Sequence, residues 1–281
     1  MALDFRILGP LEVAEDGVVL RLGGRMQRAV LAILVLDAGR VVPVERLVDD
    51  LYGEAAPATG AAQVRDHVSQ LRKLLKDGGA RIETQAPGYV LRLDPSQLDA
   101  DRFERAVDAA VAALAEGRAA DAARGLQAAL TLWRGPALAD FVADDFAQPA
   151  IGRLEELRLV ALEQRIAAEL AAGADGALVP ELQALVGSHP LRERLRGLLM
   201  LALYRGGRQA EAVEAYHETR RILGDELGIE PSLELRDLLT QILRQDPSLA
   251  RNSSATTPIV RVRNPYKGLR AFQEADAGDF F

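Results

Sequence analysis

Between residues 59 and 76, side chains able to hydrogen-bond or carry charge are spaced by an apolar stripe. Val64, Val68, Leu71 and Leu75 recur at three- and four-residue intervals, the period of one helix face. With about 100° of rotation per residue, the opposite pole of that helix is Ala62, Asp66, Ser69 and Lys73. Gln63 and Gln70 flank this pole on one side; Arg65, Arg72 and Lys76 flank it on the other. The polar types match what the major groove of duplex DNA offers. A glutamine amide pairs bidentately with adenine, and an aspartate accepts from the cytosine amino group. Ser69 and His67 can serve a base or a phosphate, while Arg65, Arg72 and Lys73 are suited to phosphates, which give affinity and register without sequence information.

The rest of the composition narrows the chemistry. There are no cysteines, and the only histidines are His67, His189 and His217, so no disulfide framework or thiolate metal site can form. No nucleophile–base pair is evident, and the reading is of a non-enzyme with no cofactor and no metal. The Glu155-Glu156 pair reads as a solvated helix face. His189, before Pro190, reads as a turn residue, His217 as a partly exposed helix residue, and Trp133 as a core plug at a helix end. No apolar run approaches the roughly 18 residues a membrane span needs, and no signal pattern opens the chain, which predicts a cytoplasmic protein without a membrane partner.

Charge is unevenly shared. The net value of −7 hides a neutral first part, with 12 basic and 12 acidic residues up to position 93, and an acidic second part, with 17 and 25 between positions 99 and 250. Residues 60–92 hold six basic side chains against three acidic ones. That local excess lies where a DNA reader needs it.

Other elements must hold the polar helix in place. Short alternating runs with breakers at Gly9, Pro10, Asp16 and Gly17 predict antiparallel strands over residues 5–22. Residues 30–36 read as a buried helix stopped at Gly39, and a second helix begins just after Pro43 and runs to about Tyr52, with Val44, Leu47, Val48 and Leu51 on one face. Thr59 is placed to cap the third helix, and Gly78 and Gly79 to end it. Strands over 81–85 and 89–93 then fold back through Ala86, Pro87 and Gly88, giving the order of a winged helix-turn-helix.

From Leu98 the chain is rich in alanine and leucine and reads as helical to about Leu249. The run Gly117-Arg118-Ala119-Ala120-Asp121 recurs as Gly207-Arg208-Gln209-Ala210-Glu211, and a fainter copy at Gly173, Asp175, Leu178 and Leu182 lies 34 residues before the last. That interval is the tetratricopeptide period, which implies stacked helix pairs with a protein-binding concave face. Arg118 and Arg208 recur as candidate ion-pair formers. Residues 249–263 read as a polar linker.

Several runs resemble a known family. Residues 5–93, through Leu47-Val48-Asp49-Asp50-Leu51-Tyr52-Gly53, residues 64–75 and Pro87-Gly88-Tyr89, resemble the OmpR/PhoB type of winged helix. Residues 98–248, through Leu203-Tyr204-Arg205, Ala215-Tyr216 and Leu223-Gly224-Asp225-Glu226-Leu227-Gly228-Ile229-Glu230-Pro231, resemble the bacterial transcriptional activator domain. The pair in this order is similar to the actinomycete antibiotic regulatory proteins, the SARP family, and residues 264–272 resemble the entry into a STAND-type ATPase module.

The resemblance implies a mainly α fold: a winged domain over 1–94, an all-α tetratricopeptide-like domain over 98–248, a linker over 249–263 and a module fragment over 264–281. It implies a transcriptional activator on tandem half-sites, with a homodimer on double-stranded DNA and a surface for RNA polymerase. Gln63, Asp66, His67, Ser69 and Gln70 match groove positions of the family, although many members carry arginine where this chain has Ser69 and Gln70. Arg81, Tyr89 and Arg92 would lie near the wing, reaching the adjacent minor groove or backbone. The competing reading is a signalling scaffold whose helical domain binds a protein or ligand beside a winged domain that reads nothing.

Overall fold

A computed structural model describes residues 3–75, 80–174 and 176–249. The expected helix stop at Lys76, Gly78 and Gly79, the repeat position Asp175, and residues 250–281 with most of the linker and the module fragment lie outside the described residues. The chain divides into two compact units. Among the described residues, the first comprises those up to Ala106 together with Ala129–Arg158, and the second comprises Val107–Ala128 and 159–249.

The first unit opens with β1 (Leu3–Arg6), β2 (Glu12–Glu15) and β3 (Val18–Val19), an antiparallel sheet in that order with Phe5 opposite Val13 and Ala14 opposite Val19. Alternation sends Leu3 and Phe5 inward. Asp16 and Gly17, both at positive φ (48° and 87°), close the two-residue turn between β2 and β3, the arrangement that suits the twist of paired strands. Helix α1 (Arg25–Leu36) has an unbroken buried run from Ala29 to Val35, so it forms the centre of the unit. It ends before Gly39, whose φ of 81° a side chain would strain.

Next come β4 (Val42–Pro43), α2 (Val44–Tyr52), a 3-10 turn over Gly53–Ala55, α3 (Gly60–Leu75), β5 (Arg81–Gln85) and β6 (Gly88–Arg92). The second sheet has the order β4-β6-β5, all antiparallel. Two details differ from the sequence reading. The hairpin turn is only Ala86–Pro87, with Gly88 already in β6, and the two residues before α2 form a strand. The reason is Gly88, which lies against the backbone of Val42 and Pro43 closely enough for the two chains to pair. Gly60 does the same for the helices: a Cβ there would stand 3.1 Å from Val48 Cγ1.

The first unit does not end at the family boundary near residue 98. Residues 7–11, after β1, need partners for their amides, and later segments supply them. Asp99, at the start of α4 (Asp99–Ala115), accepts from the amides of Ile7 (2.8 Å) and Leu8 (3.0 Å), and Asp140 accepts from that of Leu11 (2.7 Å). The Arg134 and Leu138 amides donate in turn to the carbonyls of Leu8 and Ile7. Trp133, packed edge-on against Phe103 and under Arg158, fills the adjoining core. Glu155 also differs from a solvated reading, since it accepts from the Ala137 amide at 2.7 Å.

The second unit takes in parts of α4, α5 (Ala119–Leu130) and α6 (Gln148–Ala171), followed by α7 (Val179–Ser188), α8 (Glu193–Arg205), α9 (Gln209–Leu227) and α10 (Leu233–Arg244). The repeats found in the sequence share one turn. Gly117, Gly173 and Gly207 all sit at positive φ (78°, 97° and 76°). At each, the glycine amide donates three residues back and the next amide five back: Gly117 to Leu114 and Arg118 to Ala113, Gly173 to Leu170 and Ala174 to Glu169, Gly207 to Tyr204 and Arg208 to Leu203. This left-handed cap satisfies the last carbonyls of each first helix and turns the chain for the second. The core of this unit includes Ile166, Leu182, Leu195, Met200, Leu203, Ala212 and Tyr216. Arg118 and Arg208 form local surface pairs with Glu116, Asp121 and Glu211.

Arg196 is the most deeply buried charged residue described in that unit. It is 2 % exposed, its Nε donates to the Pro190 carbonyl at 3.1 Å, and its acidic neighbour Glu218 is 3.9 Å away, beyond hydrogen-bond range. Burial holds its pKa below the ordinary arginine value. A poorly compensated buried charge destabilises the fold. Arg196→Met, which keeps the stem and removes the charge, is expected to raise stability by about 1 kcal/mol or more, measured as an upward shift of the urea midpoint.

Candidate nucleic-acid interface

Helix α3 carries the polar residues singled out above. Its Val64, Val68, Leu71 and Leu75 are fully buried, packing against α1 and α2, so the rotation of the helix is set. The other side is then fixed outward. Gln63, Arg65, Asp66, Ser69, Gln70 and Lys73 are exposed, while His67 and Arg72 are half-buried on its flanks. Thr59 takes the cap position: its carbonyl accepts from the Gln63 amide at 3.0 Å. Its hydroxyl accepts from the Gln63 side chain at 3.2 Å, in place of the backbone donor expected of a cap.

The exposed polar residues are not equally available. Arg65, Asp66, Ser69, Gln70 and Lys73 make no side-chain hydrogen bond or ion pair among the described residues, and neither does Arg81 on β5. Gln63 is held from two sides, because Tyr52 at the end of α2 donates its hydroxyl proton to Gln63 Oε1 at 2.5 Å while Gln63 Nε2 binds Thr59. Tyr52, the last residue of α2 just before Gly53, is not among the residues that the sequence pattern singles out for DNA. His67 Nδ1 is buried without a hydrogen-bond partner among the described residues.

Three of the residues expected to meet DNA, Tyr89 and Arg92 at the wing and Arg72 on α3, have partners within the protein, although Arg92 remains exposed. Tyr89 is only 7 % exposed, with its ring turned inward beneath Arg72. Arg72 donates from Nε to the Ile82 carbonyl (2.7 Å) and from Nη2 to Thr84 Oγ1 (2.8 Å). Arg92 is tied to Glu83, Gln85 and the Gly39 carbonyl at 3.3–3.5 Å. Only Arg81 of the wing cations is unengaged. Strand register, which a helical wheel does not contain, decides that Tyr89 is the hairpin side chain beneath Arg72.

No group of His, Cys, Asp and Glu side chains among the described residues could hold a metal ion, and no described helix is long and apolar enough to cross a membrane. A helix-turn-helix followed by a two-stranded wing, with a polar outward face on the second helix, is the geometry of a winged-helix reader.

Comparison with known proteins agrees. Residues 98–243 match the bacterial transcriptional activator domain, and residues 21–91 match the transcriptional regulatory protein C-terminal domain, which is of OmpR/PhoB type. The chain is 45 % identical over 256 residues to the regulatory protein AfsR of Streptomyces coelicolor, covering 91 % of this chain and 26 % of AfsR. It is 37 % identical over 259 residues to the regulatory protein DnrI of Streptomyces peucetius, covering 89 % of this chain and 95 % of DnrI. A solved structure of Mycobacterium tuberculosis EmbR, in complex with a low-affinity phosphopeptide, superposes with a TM-score of 0.84 at 40 % identity, covering 87 % of this chain and 66 % of that one. The chain spans only about a quarter of the AfsR proteins it matches.

Fold, surface and relatives define a winged-helix transcription regulator with a helical activator domain. The chain belongs to the SARP family of regulators.

Proposed function

We propose that this chain is a sequence-specific DNA-binding activator whose α3 enters the major groove. The observation that carries the reading is the division of α3 into a fully buried apolar stripe and an outward face with Arg65, Asp66, Ser69, Gln70 and Lys73 unengaged. Gln70 is suited to adenine and Asp66 to a cytosine amino group, with Ser69 and His67 beside them. Arg65 and Lys73 meet phosphates on α3, and Arg81 does so from the wing. Gln63, already held by Tyr52 and Thr59, contributes by fixing the leading end of the helix.

A near-neutral winged domain binds weakly alone, so two copies on half-sites about one helical turn apart form the working unit, a homodimer on DNA. The helical repeats supply protein contacts, RNA polymerase among them, in a cytoplasmic setting. Residues 1–94 serve for reading and 98–248 for activation, a division supported by the family matches over 21–91 and 98–243.

The test is a gel shift on promoter fragments next to the parent gene. Gln70→Ala and Asp66→Ala are each expected to weaken specific binding by roughly tenfold to a hundredfold and to relax preference at one base position. Specific binding unchanged by both substitutions would reject α3 as the reader and favour a scaffold whose helical repeats bind a protein.

A further inference from the structure

We infer that Arg72 is a positioning residue that locks the wing to the reading helix, and does not itself contact phosphate; this rests on the α3 reading above. Arg72 lies in the last turn of α3, one residue before Lys73, and the two differ sharply. Lys73 is exposed with no hydrogen bond or ion pair among the described residues, whereas the guanidinium of Arg72 is engaged three ways. Its Nε donates to the Ile82 carbonyl, its Nη2 donates to Thr84 Oγ1, and its centre stands 5.6 Å from the Tyr89 ring centroid. Thr84 and Tyr89 are directly opposed across β5 and β6, so one side chain holds both strands of the hairpin at a single rung. Gln85 and Gly88, the next pair, close the turn.

Only a planar fork can make these contacts together. A lysine ammonium keeps the charge but cannot reach a carbonyl, a hydroxyl and a ring face in one geometry. The consequence is mechanical. The distance from the outward face of α3 to the wing tip determines whether helix and wing can meet the same duplex, and Arg72 is the side chain that fixes it. Tyr89, 7 % exposed in a strand buried from Gly88 to Leu91, belongs to the same device.

Salt dependence separates a clamp from a phosphate contact, because each neutralised phosphate adds about 0.9 to the slope of log affinity against log salt. Arg72→Lys, which retains the charge, is expected to weaken specific binding roughly tenfold while leaving non-specific affinity unchanged. Arg72→Gln should show the same loss with the wild-type slope, while Lys73→Gln should lower the slope by about 0.9 and weaken all sequences alike. A slope lowered equally by Arg72→Gln and Lys73→Gln, or wild-type specific affinity in Arg72→Lys, would overturn the proposal.

A second measurement needs no DNA. The chain has no cysteine, so spin labels at Ala62→Cys and Gln85→Cys report the distance from the start of α3 to the wing without background. Arg72→Gln in this labelled protein is expected to broaden the distribution, and an unbroadened one would sink the clamp. If wild-type protein shows no specific DNA binding, the α3 reading fails and the label distances alone decide the role of Arg72.

Discussion

Gly88→Ala is expected to be the most damaging single-methyl change in the first unit. A Cβ at Gly88 would lie 1.8 Å from the Val42 carbonyl oxygen, 2.6 Å from its carbon and 2.7 Å from Pro43 Cα. All three are backbone atoms, so no rotamer change relieves the overlap, and β4 must part from β6. That separation removes the pairing of Val42 with Tyr89 and of Pro43 with Gly88, and with it the anchor of the wing. Overpacking against backbone places the loss at about 3 kcal/mol or more. Gly152 provides the contrast. It is exposed within α6, nothing would lie within 4 Å of a Cβ there, and Gly152→Ala is expected to add about 0.5–1 kcal/mol through helix propensity alone. Urea midpoints of the two variants should move in opposite directions; a Gly88→Ala midpoint at the wild-type value would show that β4 does not press on β6.

The second large effect is a pH dependence centred on Asp99. Its carboxylate is 1 % exposed and receives the amides of Ile7 and Leu8, with Arg134 at 3.9 Å. Burial raises its pKa to about 6 from 3.8, outweighing the two amide bonds and the arginine. Between those values the folded chain keeps a proton that the unfolded chain has released. The stabilisation is therefore fully present below about pH 4 and is lost as pH rises through 6, a difference of about 3 kcal/mol for a shift of this size. Other carboxylates contribute their own slopes, so the comparison is with Asp99→Asn, which cannot titrate. Wild-type stability minus that of Asp99→Asn, followed by urea titration from pH 4 to pH 7.5, is expected to fall by that amount. A constant difference would mean that Asp99 ionises in the fold as it does in the open chain.

How much of this architecture the amino-acid order reveals depends on the length of each signal. Helix α3 shows itself because four apolar residues over three turns fit a single period, and all four are buried. The three turn glycines show themselves because a left-handed cap requires that residue, so the chain repeats it. Strand β4 has two residues, too few for any alternation, and exists because Gly88 is distant in sequence but adjacent in space. Chemistry alone reads Arg72 as a phosphate contact and the family resemblance places Tyr89 and Arg92 at the wing, whereas the folded hairpin supplies the partners of Arg72 and Arg92 and buries Tyr89. Asp99 had no local mark at all: it is one acid among many in the acidic second part, and its role comes from two amides more than ninety positions earlier.

The service that Asp99, Arg134 and Asp140 give to residues 7–11 bears on how the protein can be dissected. A truncation ending at residue 97 keeps every group proposed to touch DNA, yet it strands the buried amides of Ile7 and Leu8 and removes the acceptor of the Leu11 amide. The compact unit that contains the winged helix therefore runs past it and takes in Ala129–Arg158. Exchanging the outward side chains of α3 leaves this support untouched, whereas cutting the chain after the winged helix removes it.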